Sequence, residues 1–156
     1  MSKSLKRVEA EAHALGLSIN IIREEVLTTT AQMAADARGC HVDQIVKSIL
    51  FRKRNSKEHV LFLTAGGNRV SNSKAETACG HPLSRADAAS IRSYTGFAIG
   101  GVSPLGHLNP VAKFMDPHLL SFPEIWAAAG TPSHVFAIAP ALLAEKCGAQ
   151  IIDFTE

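Results

Sequence analysis

The sequence has little of what would mark a secreted, membrane-bound or metal-binding protein. Its 156 residues include three cysteines, Cys40, Cys79 and Cys147, odd in number, far apart and never spaced as C-x-x-C. They offer neither a disulfide framework nor a thiolate zinc site and read as buried reduced thiols. No apolar run is long enough to span a bilayer. The first residues mix Lys3, Lys6 and Arg7 with Glu9 and Glu11, unlike a signal or transit peptide, so a cytoplasmic protein is expected. Repeats, low-complexity tracts and Pro/Ser-rich linkers are absent, and residues 1–156 read as one domain.

Familiar catalytic and nucleotide-binding templates are missing too. There is no G-x-x-x-x-G-K-[ST] and no G-x-G-x-x-G, so a phosphate-cradling loop of either kind is excluded. Residues 101–106, Gly-Val-Ser-Pro-Leu-Gly, miss the nucleophile elbow G-x-S-x-G by one residue and place Pro104 directly after Ser103. None of the seven histidines is spaced as H-x-x-x-H, and His107, Asp116 and His118 form no recognised ligand set, so no metal and no cofactor are expected.

What is present is the balance of a folded chain, 46% hydrophobic and 19% charged with a net charge of +2. The charge is unevenly spread. Residues 51–74 carry Arg52, Lys53, Arg54, Lys57, Arg69 and Lys74 against Glu58 alone, whereas residues 116–156 are acidic, so a polyanion would prefer the middle of the chain.

Periodicity and turn residues predict helices over 4–15, 73–79, 84–93 and 140–147, and another opened by a Thr29/Gln32 capping box and ended at Gly39. Short strands are predicted over 17–21, 44–53, 59–64, 96–100, 111–115, 124–129, 135–138 and 151–154. Residues 44–53 and 59–64 form a hairpin turning at 55–58, and 124–129 pairs with 135–138. Strands and helices interleave without a regular βαβ beat, so the expected class is mixed α+β, with a mostly antiparallel mixed sheet and surrounding helices.

Two features stand out chemically. Lys47 falls within a strand, flanked by Ile45, Val46, Ile49 and Leu50. It is either an edge lysine snorkelling to water or an ammonium at the floor of an anion pocket, where desolvation strengthens its pull on a phosphate or ribose oxygen. Residues 100–107, Gly-Gly-Val-Ser-Pro-Leu-Gly-His, leave backbone groups unobstructed and fix an unusual path, either as a tight structural turn or as a loop that binds an oxyanion or aims a water. At the hairpin tip, Arg52, Lys53, Arg54 and Lys57 are either a solvated turn or a grip on a nucleic-acid backbone.

The segments 29–37, 42–51, 60–64, 96–106 and 127–130 together resemble the YbaK/ProX aminoacyl-tRNA deacylases, relatives of the insertion editing domain of bacterial prolyl-tRNA synthetase. The strand-borne lysine combined with G-x-x-x-P at Gly100 to Pro104 carries the resemblance. It implies a metal-free pocket for the 3′-terminal adenosine and its amino acid, with aminoacyl-tRNA as substrate and prolyl-tRNA synthetase as a partner. Lys47 would hold the terminal nucleotide, while Gly100, Gly101 and Pro104 present backbone to the ester and the attacking water. Thr30, Ser48, Ser103, Gly106 and Ala129 match substrate-binding positions. The run Ala127–Ala129 lacks the hydroxyl residue of the cysteine-specific members, which weighs against cysteine as the amino acid removed. The alternative to a deacylase of small misacylated residues (Ala, Cys, Ser or Thr) is a non-catalytic module that binds charged tRNA or a small ligand, and a third reading is hydrolysis of some other small ester or amide.

Overall fold

Residues 59–65 are nearly all apolar, with no polar alternation, and the strand they form, β3 (His59–Ala65), is buried along its whole length. It lies at the centre of a five-stranded sheet ordered β4-β2-β3-β5-β8, with β2 (Val46–Lys53), β4 (Leu83–Arg85), β5 (Ala112–Met115) and β8 (Gln150–Ile151). The computed structural model describes residues 2–26 and 28–156. The β2–β3 and β2–β4 pairs are antiparallel, and β3–β5 and β5–β8 are parallel. A second, antiparallel sheet has the order β1-β7-β6, from β1 (Ile21–Arg23), β7 (His134–Ile138) and β6 (Ile125–Ala128). The expected mixed α+β architecture is therefore present, divided between two sheets.

Register decides which residues meet. Val46 lies opposite Ala65, Lys47 opposite Thr64, Ile49 opposite Phe62 and Leu50 opposite Leu61. Val46, Leu50, Leu61, Leu63 and Ala65 thus share one face, which packs with α1 (Lys3–Ala14) and the second sheet in the main core. The other face carries Val60, Phe62 and Phe114, where Phe62 meets Phe114 at 5.3 Å and Phe154 at 4.8 Å between ring centres.

Several boundaries differ from the sequence-based expectation for identifiable reasons. The helix after β1, α2 (Ala31–Arg38), is capped by Thr30, whose hydroxyl accepts from Met33 N at 3.1 Å, while Gln32 reaches forward to Asp36 instead of back to Thr29. Gly39 ends it in the left-handed region, as expected. Ser84 caps no helix, because residues 83–85 pair with the end of β2; Asp87 caps α4 (Ala88–Thr95), accepting from Ser90 N at 2.7 Å. Residues 96–100 form no strand, since Gly96 and Gly100 have φ of +83° and +88° and the chain turns through a Gly101 N to Ala98 O bond. The first short strand lies at Ile21–Arg23 rather than 17–21, and the last is confined to Gln150–Ile151 with a bridge from Val70 to Thr155. The helices α3 (Asn72–Cys79) and α5 (Pro140–Cys147) fall where predicted. No helix is long and apolar enough to cross a membrane among the described residues.

Candidate active site

Strand β4 pairs with Phe51, Arg52 and Lys53, and a bridge joins Ile45 to Trp126 of β6, so among the described residues the Val46–Leu50 stretch of β2 pairs with no strand on that side. Its open edge faces the N-terminal turn of α2, the loop around Gly100 and the end of β6. Together they enclose a cavity of about 170 Å³ whose lining includes Thr30, Ala31, Ala34, Lys47, Ser48, Gly100 and Ala128. Lys47 and Gly100, 53 positions apart in the chain, are thereby brought to one wall. The small side chains of Ala31 and Ala34 keep helix α2 from filling the space.

The Lys47 ammonium is half-buried and donates to the backbone carbonyl of Asn68. Burial lowers its pKa below the usual lysine value, helped by the Arg69 charge and opposed by Asp43 and Asp116. Asn68 is itself held: its side-chain amide donates to Asp116 Oδ2 at 2.9 Å. Asp116, 2% exposed, also accepts from Ala65 N at 3.1 Å and His118 N at 2.9 Å, so this buried carboxylate is well supplied with donors. Gly66 and Gly67 let the turn pass close to Val42 O and Asp43, which a Cβ at either position would meet at 2.1 and 2.5 Å.

The loop of residues 96–107 is anchored from α1. Arg7 donates to Gly96 O at 2.7 Å and Gly106 O at 3.0 Å, and Glu11 accepts from Gly106 N. Within the loop, Ser103 Oγ accepts from Leu105 N at 3.2 Å and the His107 ring donates from Nε2 to Ser103 O. Gly100 is exposed and lines the cavity, whereas Gly101, Ser103, Pro104 and Gly106 are buried. Gly101 packs backbone to backbone on the Thr131 turn, where a Cβ would stand 2.8 Å from Thr131 Cα. Gly106 is as tightly placed against α1, where a Cβ would stand 2.8 Å from Val8 N.

The sequence-predicted residues accordingly fall into groups. Lys47, Ser48, Thr30 and Gly100 line one cavity; Gly101, Ser103, Pro104 and Gly106 shape the loop behind it. Along β6 the alternation sends Ala129 into the core and Ala128 to the cavity. Arg52, Lys53, Arg54 and Lys57 lie at the far end of the β2–β3 hairpin, roughly 17 Å from Lys47 along the strand. There Lys53 pairs with Glu58 at 3.0 Å and Arg54 donates to Leu83 O at 3.2 Å, while Arg52 and Lys57 are exposed. Arg7, Glu11, Asn68 and Asp116 were not singled out by the sequence, because their roles arise from contacts across 48 to 99 positions of chain.

The sequence and the fold have counterparts. The model of the aminoacyl-tRNA editing domain matches residues 25–146. A solved structure described as a candidate trans-editing enzyme for prolyl tRNA synthetase is 40% identical, with a TM-score of 0.92 over 100% of this chain and 99% of that one. A scaffold protein used for grafting linear epitopes is 38% identical, with a TM-score of 0.93 and the same coverage. The uncharacterised protein YwhH of Bacillus subtilis is 25% identical over 91% of this chain and 90% of its own length. By the extent of the domain match and of the structural agreement, the chain belongs to the YbaK-type aminoacyl-tRNA editing family.

Proposed function

We propose that the protein is a trans-editing hydrolase that removes a small, wrongly attached amino acid from tRNA, with proline-accepting tRNA as the carrier. The observation that carries this reading is the placement of Lys47 and the exposed backbone of Gly100 on one small cavity at the open edge of β2. Lys47 anchors the terminal nucleotide through a phosphate or ribose oxygen, and the Gly100 backbone faces the ester carbonyl. Water adds to that carbonyl, the ribose oxygen leaves, and free amino acid and tRNA are the products. An aminoacyl ester is already activated, so a positioned water and a preorganised donor worth ~10² to 10³ in rate suffice without a dedicated nucleophile.

The cavity volume of about 170 Å³ and the walls of Ala31, Ala34 and Ala128 support a small acyl group. Exclusion of larger residues by size discriminates better than attraction, since one methylene contributes only ~1 to 3 kcal/mol. The likeness to a candidate partner of prolyl tRNA synthetase supports the choice of tRNA. The basic hairpin tip, lying along the same strand as Lys47, supports an acceptor stem running over the sheet edge. The test is to incubate the protein with proline tRNA charged with Ala, Cys, Ser or Thr and to follow loss of the ester. Catalytic release of at least one amino acid is expected, and protection of every ester from spontaneous hydrolysis would instead identify a binding module.

A further inference from the structure

A second cavity of about 100 Å³ adjoins the first, sharing Ala34, Ile45, Val46, Gly100 and Ala128 with it, so the two form one cleft. Lys47 lines the first, and Glu24, Arg38, Trp126 and His134 line the second. The Glu24 side chain is 4% exposed and that of Arg38 21% exposed. Arg38 Nη2 donates to Glu24 Oε2 at 3.1 Å. Glu24 Oε1 and Arg38 Nε lie 3.1 Å apart as the second contact of this ion pair, and neither atom has a hydrogen-bond partner among the described residues.

A carboxylate offers about four acceptor positions, and a buried one left short of donors attracts whatever donor can enter the cleft. Arg38 already reaches both carboxylate oxygens, one by a hydrogen bond and one by the 3.1 Å ion-pair contact, and its guanidinium lies 5.5 Å from the centre of the Trp126 ring. His134 is engaged as well, its Nδ1 lying 2.6 Å from Thr131 Oγ1. Glu24 is fixed from the backbone side, donating its own N–H to Ser133 O at 2.6 Å. Gly100 thus lines both cavities, with Lys47 lining the first and the Glu24 carboxylate, which keeps acceptor positions beyond its two Arg38 contacts, lining the second.

We propose that Glu24 receives the α-ammonium of the aminoacyl group, so that the cleft selects esters of amino acids with a free amine. This rests on the deacylase reading above and names the substrate group that orients the ester. Lys47 grips the nucleotide, Glu24 takes the cationic end, and the acyl carbon between the two is brought to Gly100. Acyl-tRNA whose amine is blocked, as in formylated or peptidyl forms, would be rejected by loss of the charge. Arg38 is a positioning residue, since it acts by holding Glu24.

The test uses two non-hydrolysable analogues, 3′-deoxy-3′-alanylamido-adenosine and its isobutyryl counterpart, in which a methyl replaces the ammonium at equal size. Their Kd values are compared by calorimetry for the wild-type protein, for Glu24→Gln and for Glu24→Gln/Arg38→Met, the last removing both charges so that neither is left buried alone. The wild type is expected to bind the alanyl compound about tenfold or more tightly than the isobutyryl one, as a charge-assisted hydrogen bond implies, and the variants to lose that preference. Equal binding of the two compounds by the wild type, or a preference that persists in a folded variant, would overturn the assignment to Glu24 while leaving the aminoacyl-adenosine pocket standing. If neither compound binds the wild type, the deacylase reading of the pocket fails and this inference with it.

Discussion

The ammonium of Lys47 and the backbone carbonyl of Asn68 are in contact across the Gly66–Gly67 turn, and the same Asn68 is clamped by Asp116. The lysine is therefore aimed by a buried carboxylate that it does not touch. Lys47→Ala should reduce kcat/KM by roughly 30- to 150-fold, the equivalent of about 2 to 3 kcal/mol for a lost charge-assisted contact, with Tm little changed. Because the folded pKa of Lys47 is lowered by burial, activity should fall as pH rises through a value below the ordinary lysine range of about 10.4. A rate profile that stays flat through that range in the wild type would take the ammonium out of the reaction. Asp116→Asn should lower both Tm and kcat/KM, since it loosens the turn that carries Asn68.

Gly100 and Gly101 are adjacent but constrained differently. At Gly100 a Cβ has room, its nearest neighbour being Pro132 at 3.8 Å, and only the φ of +88° resists it. At Gly101 the obstacle is the Thr131 backbone at 2.8 Å. Gly101→Ala should thus lower Tm by about 3 to 10 °C through overpacking, while Gly100→Ala should cost stability only modestly and turnover more. Ser103→Ala removes the hydroxyl that accepts from Leu105 N and should reduce stability while sparing the saturated rate. A collapse of kcat in a folded Ser103→Ala protein would point to a covalent serine mechanism.

The sequence made legible what depends on local pattern. The β2–β3 and β6–β7 hairpins, the α5 helix with Pro140 and Gly148 at its ends, and Lys47 inside a strand were readable from alternation and punctuation. What was not legible was set by register or by distant contacts. Whether Ala128 or Ala129 faces the cavity turns on one position of strand phase, and the helix expected over 84–93 begins only at Ala88 because residues 83–85 pair with β2. Glu24 and Arg38 carry no mutual signal in the sequence, since the one follows β1 and the other ends α2, 14 positions on.

His107 gives the loop a pH limit. Its Nε2 donates to Ser103 O, its Nδ1 is buried without a partner among the described residues, and burial pushes its pKa down to about 4, partly offset by that hydrogen bond. In the unfolded chain the imidazole titrates near 6.5. The unfolded state therefore binds more protons between the two values, so stability is intact above about pH 6.5 and declines as pH falls towards 4, by up to a few kcal/mol. Denaturant titrations at pH 7 and pH 4.5 should show this loss, and His107→Gln should reduce it. An equal loss in that variant would place the acid sensitivity elsewhere, as in Asp43, whose pKa, against the effect of burial, is lowered by its hydrogen bonds with His118 and Gly67.

The charge at the hairpin tip makes a separable prediction, because it lies at the opposite end of β2 from Lys47. Neutralising Arg52, Lys53, Arg54 and Lys57 together should weaken tRNA binding and flatten its salt dependence, with kcat at saturating tRNA nearly unchanged. Their states in the structure are unequal. Lys53 is paired with Glu58 and Arg54 has one donor committed to Leu83 O, whereas Arg52 and Lys57 are exposed. The Lys53 pair is a surface one, worth at most ~1 kcal/mol, so phosphate can displace it. Two or three phosphate contacts are then expected, each lowering the slope of log K against log salt by ~0.7 to 0.9. Binding across a salt series for the wild type and the quadruple variant decides the matter. Equal slopes would mean that tRNA approaches from another face, and a loss of the saturated rate would mean that the tip influences the reacting end some 17 Å away along the strand.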